Sequence, residues 1–234
     1  MKRILEIGCG QGFNTYILSK KENGKVIGID LSSDDINIAK KRYPKVSFKV
    51  MSAQDLKFKS KSFDMVYAME VLEHVDDIGK TLDEVSRVLD SSGKFVVSIP
   101  FYKSEKWLAK LRPTYFKEIH HVRVFKEEEL ENLCKKRKLT LKKKKRVGFL
   151  QHIELFFLFK RKIKSKTQLS IGSWRDNIYT KMLHACMLYF SPISLQTPLR
   201  LFPIWIITIP AGYILDKLGS RVFPKSLYYE FEKK

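Results

Sequence analysis

The feature that most restricts this chain is a run of glycines near its start. Residues 3–7 (Arg-Ile-Leu-Glu-Ile) read as a short buried strand, and Gly8-Cys9-Gly10-Gln11-Gly12 follows at once. Apolar residues at helical spacing (Phe13, Ile17, Leu18) come next. Glycine tolerates tight turns and lets backbone approach a ligand closely. The helix that follows presents free N–H groups at its N-terminus, suited to an anionic or polar ligand. A strand, glycine turn and helix in this order indicate nucleotide-type binding in an α/β fold. The dinucleotide fingerprint needs G-x-G-x-x-G, and here the third glycine falls one residue early; no P-loop lysine follows.

The alternation continues. Val26–Ile29 is a second strand ending in Asp30, and Ser32 or Ser33 caps a helix with Asp34 and Asp35 in its first turn. Strands are expected at Val46–Val50, Phe63–Ala68 and Lys94–Ile99, with a helix over 78–89 between the last two. A helix over 126–136, a strand over 139–147 and a last strand over 227–231 complete the pattern. Strands and helices alternating at this spacing predict crossover units and a parallel sheet.

The order of short motifs resembles that of the class I S-adenosylmethionine-dependent methyltransferases, in their small-molecule branch. Glu6-x-Gly8-x-Gly10-x-Gly12 resembles the family's first motif. Ser62-Phe63-Asp64-Met65-Val66 and Leu89-Asp90-Ser91-Ser92-Gly93-Lys94 resemble its fourth-strand and fifth-strand motifs, and His121-Val-Arg-Val-Phe125 with Glu128-Glu129-Leu130 a later stretch. The resemblance covers about 1–147. It implies a Rossmann-like doubly wound sheet, mostly parallel with an antiparallel last strand, and S-adenosylmethionine as cofactor. Carried over by position, Glu6, Gly8, Cys9, Gly10 and Gly12 form the cofactor loop, and Asp30 binds the ribose hydroxyls. Leu31 packs on adenine, Ala53-Gln54-Asp55 reads the adenine amino group, and Glu70 is counted among the cofactor-binding residues. A carboxylate suits a diol because it accepts two hydrogen bonds and donates none.

Methyl transfer needs an attacking atom held in line, and a base if that atom is a hydroxyl oxygen. Candidates lie in Glu70-Val-Leu-Glu73-His74, because loops at the carboxyl ends of strands face the ligand crevice of open α/β sheets. His74 is the expected base, with Glu73 beside it; packing or capping is the competing role for His74. E-x-x-E-H with a later His120 or His121 also resembles two metal-assisted groups, the ubiquinone O-methyltransferases and the small-RNA 2′-O-methyltransferases. The spacing alone assigns no metal, and none is expected.

Net charge is +20 and lies mostly in the second half: residues 1–125 hold 22 basic and 16 acidic residues, residues 126–234 hold 23 and 9. Within 135–166 there are 14 basic residues against Glu154. Such a field attracts phosphate, of an anionic bilayer or of nucleic acid. From Met182 to Leu215 the one charged residue is Arg200, but Pro192, Pro198, Pro203 and Pro210 keep the apolar pieces short of the ~20 residues a spanning helix needs. The expected organisation is therefore a cofactor-binding core over 1–148, an apolar and basic helical insertion over 149–224 that caps the acceptor or lies on a membrane, and a last core strand over 225–234. Three widely separated cysteines and the lack of a signal-peptide pattern place the chain in the cytoplasm, peripheral to the cytoplasmic face of a membrane. The expected acceptor is a lipid-like or lipid-linked small molecule. An RNA 2′-O-methyltransferase with a divalent metal is the second reading, weakened by lysine runs without interleaved aromatics. Oligomeric state is not indicated.

Overall fold

The computed structural model describes residues 1–22, 24–111, 113–148, 217–222 and 224–234. The expected apolar insertion over 149–224 therefore falls mostly outside the described residues. Two compact units are present. One comprises residues 1–105, 114–145 and 226–234; the other comprises 106–113 and 146–225.

The first unit is built on a seven-stranded sheet. Its elements are β1 (Lys2–Ile7), α1 (Phe13–Lys21), β2 (Gly24–Asp30), α2 (Ser33–Arg42), β3 (Ser47–Val50), β4 (Phe63–Met69), a 3₁₀ turn (Leu72–His74), α3 (Ile78–Val88), β5 (Leu89–Pro100), the start of α4 (Tyr102–Leu111), α5 (Tyr115–Ile119), α6 (Glu127–Lys135), β6 (Leu139–Val147) and β7 (Ser226–Lys233). Strand order is β3-β2-β1-β4-β5-β7-β6. β1 runs parallel to β2 and β4, β2 to β3, and β4 to β5, whereas β7 is antiparallel to β5. The doubly wound, mostly parallel sheet with an antiparallel last strand is borne out.

Burial on both faces explains why the central strands lack polar alternation. Ile4 to Ile7 of β1 are all buried, as are Phe95 to Pro100 of β5. α3 lays Leu82, Val85 and Val88 into the same core, with Phe231 and Tyr229 of β7. α2 starts where expected: Ser32 caps it by accepting the Asp35 N–H at 3.1 Å.

Strand order reverses direction between β1 and β4, and ligands of open α/β sheets bind in the crevice at such a switch point. The glycine loop leaves the end of β1, and Glu70–His74 leaves the end of β4. The two are pressed together. A Cβ on Gly8 would lie 2.3 Å from Val71 Cγ2.

In the second unit, the Lys225 N–H donates to the Val147 carbonyl at 3.0 Å and the Arg146 guanidinium to the Arg221 carbonyl at 2.8 Å. These bonds bring the two ends of the 148–220 segment side by side. Among the described residues, no helix is long and apolar enough to cross a membrane.

Candidate active site

The three loop glycines do different work. Gly8, Gly10 and Gly12 all have positive φ, which favours glycine. Gly8 is closed in by Val71, and a Cβ on Gly12 would meet the Phe48 ring at 2.6 Å and Ala39 at 2.8 Å. A Cβ on Gly10 would meet nothing within 4 Å. Gly8 and Gly12 are thus demanded by packing, and Gly10 holds its backbone against open space. The loop leads into α1, whose first turn carries no side-chain cap, so its N–H groups remain available.

Asp30 ends β2 beside this loop. Its Oδ2 accepts the Gly10 N–H at 2.8 Å and its Oδ1 the Ser32 N–H at 2.9 Å. The carboxylate therefore sets the shape of the loop and the entry to α2. It has about four acceptor positions, so two such bonds leave it capacity for a diol. Leu31 next to it is 71 % exposed, an apolar surface free to take a flat ring.

Glu6 stands elsewhere than on the ligand side. It is 2 % exposed and accepts a hydrogen bond from the Thr15 hydroxyl of α1, which braces the loop from below. Burial pushes its carboxyl up to about 7. Cys9 is also buried, and burial raises its thiol to about 12, so it remains a neutral packing group.

The segment after β3 is pinned by residues the sequence reading missed. Arg87 of α3 donates to the Leu56 and Phe58 carbonyls, each at 2.7 Å, and Glu84 accepts the Leu56 N–H at 2.7 Å. Ala53 is buried under this segment, and the Gln54 N–H is tied to Ser52 Oγ at 3.1 Å. Asp55 faces outward and pairs with Lys57 at 2.5 Å, which holds its carboxyl below the usual range.

At the end of β4, Glu70 adopts a left-handed φ of 55°. That turn sends its carboxylate toward the neighbouring strands, where Ser98 donates at 2.8 Å and Ser226 at 3.3 Å. The Glu70 N–H also donates to the Ser98 carbonyl at 3.1 Å. Glu70 thereby ties β4 to β5 and β7. Non-glycine residues at positive φ cluster at functional sites.

Glu73, His74 and His121 come together just beyond. Each brings one ligand-type atom, and these atoms lie within 4.8 Å of one another. Glu73 is 1 % exposed, with Oε1 4.0 Å from His121 Nε2. His74 Nδ1 lies 3.1 Å from the His120 carbonyl, and the His74 and His121 rings meet edge to face at 4.7 Å. Burial lowers the His74 pKa, which favours the neutral imidazole. His120 caps α5 in a left-handed conformation, φ 58°, and this is what delivers its carbonyl to His74 and the next ring into the cluster. The Val122 N–H donates to the Glu73 carbonyl at 3.0 Å, locking the two loops together. One carboxylate and two imidazoles suit a divalent cation, which would polarise an acceptor hydroxyl there.

Two further residues complete the cluster: Glu105 of α4, 3 % exposed, and Tyr115 of α5. The Tyr115 hydroxyl donates to Glu105 Oε1 at 2.7 Å, and Glu105 Oε2 lies 2.8 Å from His121 Nδ1. Neither residue sits in a motif, and 32 positions separate Glu73 from Glu105. No short-range pattern marks them.

Comparison with known proteins agrees with this geometry. Residues 5–97 match a family described as a methyltransferase domain. The ubiquinone biosynthesis O-methyltransferase of Pelagibacter ubique is 33 % identical over 152 residues, 60 % of this chain and 62 % of that protein. The chloroplastic tocopherol O-methyltransferase of Arabidopsis thaliana is 33 % identical over 103 residues, 42 % of this chain and 30 % of that protein. The chain thus spans less than two thirds of these curated relatives. A crystal structure of a SAM-dependent methyltransferase from Methanosarcina mazei superposes with a TM-score of 0.52 at 26 % identity, over 63 % of this chain and 83 % of that one. Fold, glycine loop and matched sequence agree: residues 5–97 match the methyltransferase domain family, and the chain carries the fold of the class I S-adenosylmethionine-dependent methyltransferases.

Proposed function

We propose that this chain is an S-adenosylmethionine-dependent methyltransferase that methylates a hydroxyl of a small lipophilic acceptor. The observation that carries this reading is the switch point itself. There an open glycine backbone and the Asp30 carboxylate, which accepts the Gly10 N–H, adjoin a loop that gathers Glu73, His74 and His121. S-adenosylmethionine fits the first set of residues. Gly10 leaves room for close backbone approach, Asp30 keeps acceptor capacity, and Leu31 offers an exposed apolar face.

When bound, that cofactor supplies an electrophilic methyl group. The chain's own residues align the acceptor and take up its proton. His74 has its Nδ1 engaged by the His120 carbonyl, which leaves Nε2 as the proton acceptor. General-base assistance of this kind contributes roughly 10²–10⁴-fold. Two relatives are named as O-methyltransferases, which favours oxygen as the attacked atom.

The lipophilic character of the acceptor, and attachment to the cytoplasmic face of an anionic membrane, rest on the second half of the sequence. It combines the nearly uncharged stretch from Met182 to Leu215 with the basic residues of 135–166. The test uses S-adenosylmethionine with a labelled methyl group, anionic vesicles carrying a lipid extract, and total RNA as separate acceptors. Label should enter the organic phase, and the protein should sediment with the vesicles in low salt. Label in RNA alone would replace this reading with an RNA methyltransferase. Label in neither, from a chain that binds the cofactor, would refute both acceptors.

A further inference from the structure

Between β3 and β4, residues 51–62 belong to no helix or strand, so no ladder of backbone bonds fixes them. α3 supplies bonds instead. Glu84 and Arg87 lie one turn apart on that helix and pair through two bonds, Nε to Oε1 at 2.7 Å and Nη2 to Oε2 at 2.9 Å. The pair then holds one residue by both its backbone groups. Glu84 Oε2 accepts the Leu56 N–H at 2.7 Å, and Arg87 Nη2 donates to the Leu56 carbonyl at 2.7 Å. Arg87 Nη1 donates to the Phe58 carbonyl, also at 2.7 Å. Hydrogen bonds to charged groups are stronger than neutral ones, and the planar guanidinium fixes direction as well as distance.

The near end of the segment is tied to the cofactor crevice. The Met51 N–H donates to the Asp30 carbonyl at 2.9 Å, which sets residues 52–55 next to Asp30 and the exposed Leu31. The stretch is thus held between Asp30 and α3. It presents the Asp55 carboxylate, whose side chain is 58 % exposed and whose partner Lys57 is 71 % exposed. A pair so exposed is worth little and exchanges readily for another partner. A carboxylate accepts hydrogen bonds and donates none, so it suits the exocyclic amino group of adenine and disfavours the oxygen that replaces it in hypoxanthine.

We infer that Glu84 and Arg87 are positioning residues for cofactor recognition, clamping Leu56 so that residues 52–55 stand beside Leu31 and read the amino edge of the S-adenosylmethionine base. The inference rests on the methyltransferase reading. The clamp needs an acceptor at position 84 and a donor fork at position 87, because the Leu56 N–H and carbonyl are of opposite polarity. Exchanging the two charges keeps the ion pair but sets donor against donor and acceptor against acceptor at Leu56.

The test is calorimetric titration of the full chain with S-adenosylhomocysteine and with S-inosylhomocysteine, which differ at that edge of the base alone. The wild type should bind the adenine compound about tenfold or more tighter, the scale of a hydrogen bond to a charged group. In Arg87→Lys, and in Glu84→Arg combined with Arg87→Glu, the adenine compound should bind about tenfold more weakly and the inosine compound within about twofold of wild type, so the preference disappears. Amide exchange in the wild type supplies a readout that needs no variant. A ligand that binds the clamped segment slows opening of the clamp, so exchange at the Leu56 N–H should slow with the adenine compound bound and respond less to the inosine compound. Leu56 exchange that the adenine compound leaves unchanged overturns the inference, as does a wild type with equal affinity for the two compounds. A folded variant that keeps the preference, or loses affinity for both compounds equally, also overturns it. A wild type that binds neither compound refutes the methyltransferase reading, and the inference with it.

Discussion

At the scale of single residues, Glu6 shows how a motif position can be read correctly and its role misplaced. Its spacing to the glycines marks the loop, but its carboxylate lies beneath that loop on Thr15. Burial raises its pKa to about 7 from an ordinary 4.5. The folded chain therefore holds a proton there that the unfolded chain has lost. Stability from this group is intact below about pH 4.5 and falls as pH rises toward 7. Glu6→Gln removes the titration and keeps an acceptor for Thr15. Urea unfolding of the two proteins should therefore diverge between pH 5 and pH 7.5, with the wild type losing on the order of 3 kcal/mol relative to the variant. Parallel curves across that window would contradict the assignment. Glu105, Tyr115 and Arg87 were illegible for a different reason. Their partners are brought near by the sheet, not by the sequence spacing on which motif reading depends.

At the scale of elements, the long periodic segments were legible and the short ones were not. α2, α3 and α6 lie within one residue or so of the positions their apolar spacing and capping residues predict. β5 begins earlier, at Leu89, which pairs with Phe63 of β4; the register then shifts before Lys94 pairs with Met65, and Ser92 within that irregularity adopts φ 62°. α5 has five residues, too few for a helix stable by itself, and only its tertiary contacts sustain it. The glycine loop supplies a prediction at this level. Gly12→Ala forces a methyl onto Phe48 and Ala39 and should destabilise the fold by about 1–3 kcal/mol, as overpacking does. Gly10→Ala meets open space and carries only the roughly 1–2 kcal/mol cost of a left-handed φ. Its effect should appear in the ligand instead, as at least a tenfold loss of S-adenosylmethionine affinity. Urea titration and calorimetry on both variants separate the cases. Equal affinity loss with no stability difference would mean the three glycines are not divided between packing and ligand approach.

At the scale of the whole molecule, charge and sheet order explain each other in part. β6 forms one edge of the sheet, and its Lys142, Lys143, Lys144, Lys145 and Arg146 guard that edge against pairing with another chain. Lys144 pairs with Glu127 and Glu131, and Lys142 with Glu232, so part of the basic run has internal partners. A charge count alone overstates the field that run projects toward a bilayer or a nucleic acid. The fold and the cofactor loop were legible in the first half of the sequence because strand, turn and helix signals there are local. The cluster around His121 was not, because its residues come from separate loops and helices.

Isothermal titration of S-adenosylmethionine into the intact chain tests whether the switch point between β1 and β4 binds it. Binding should be saturable at one site per chain and at least tenfold weaker in Asp30→Ala. A folded wild-type chain that takes up no S-adenosylmethionine would contradict it.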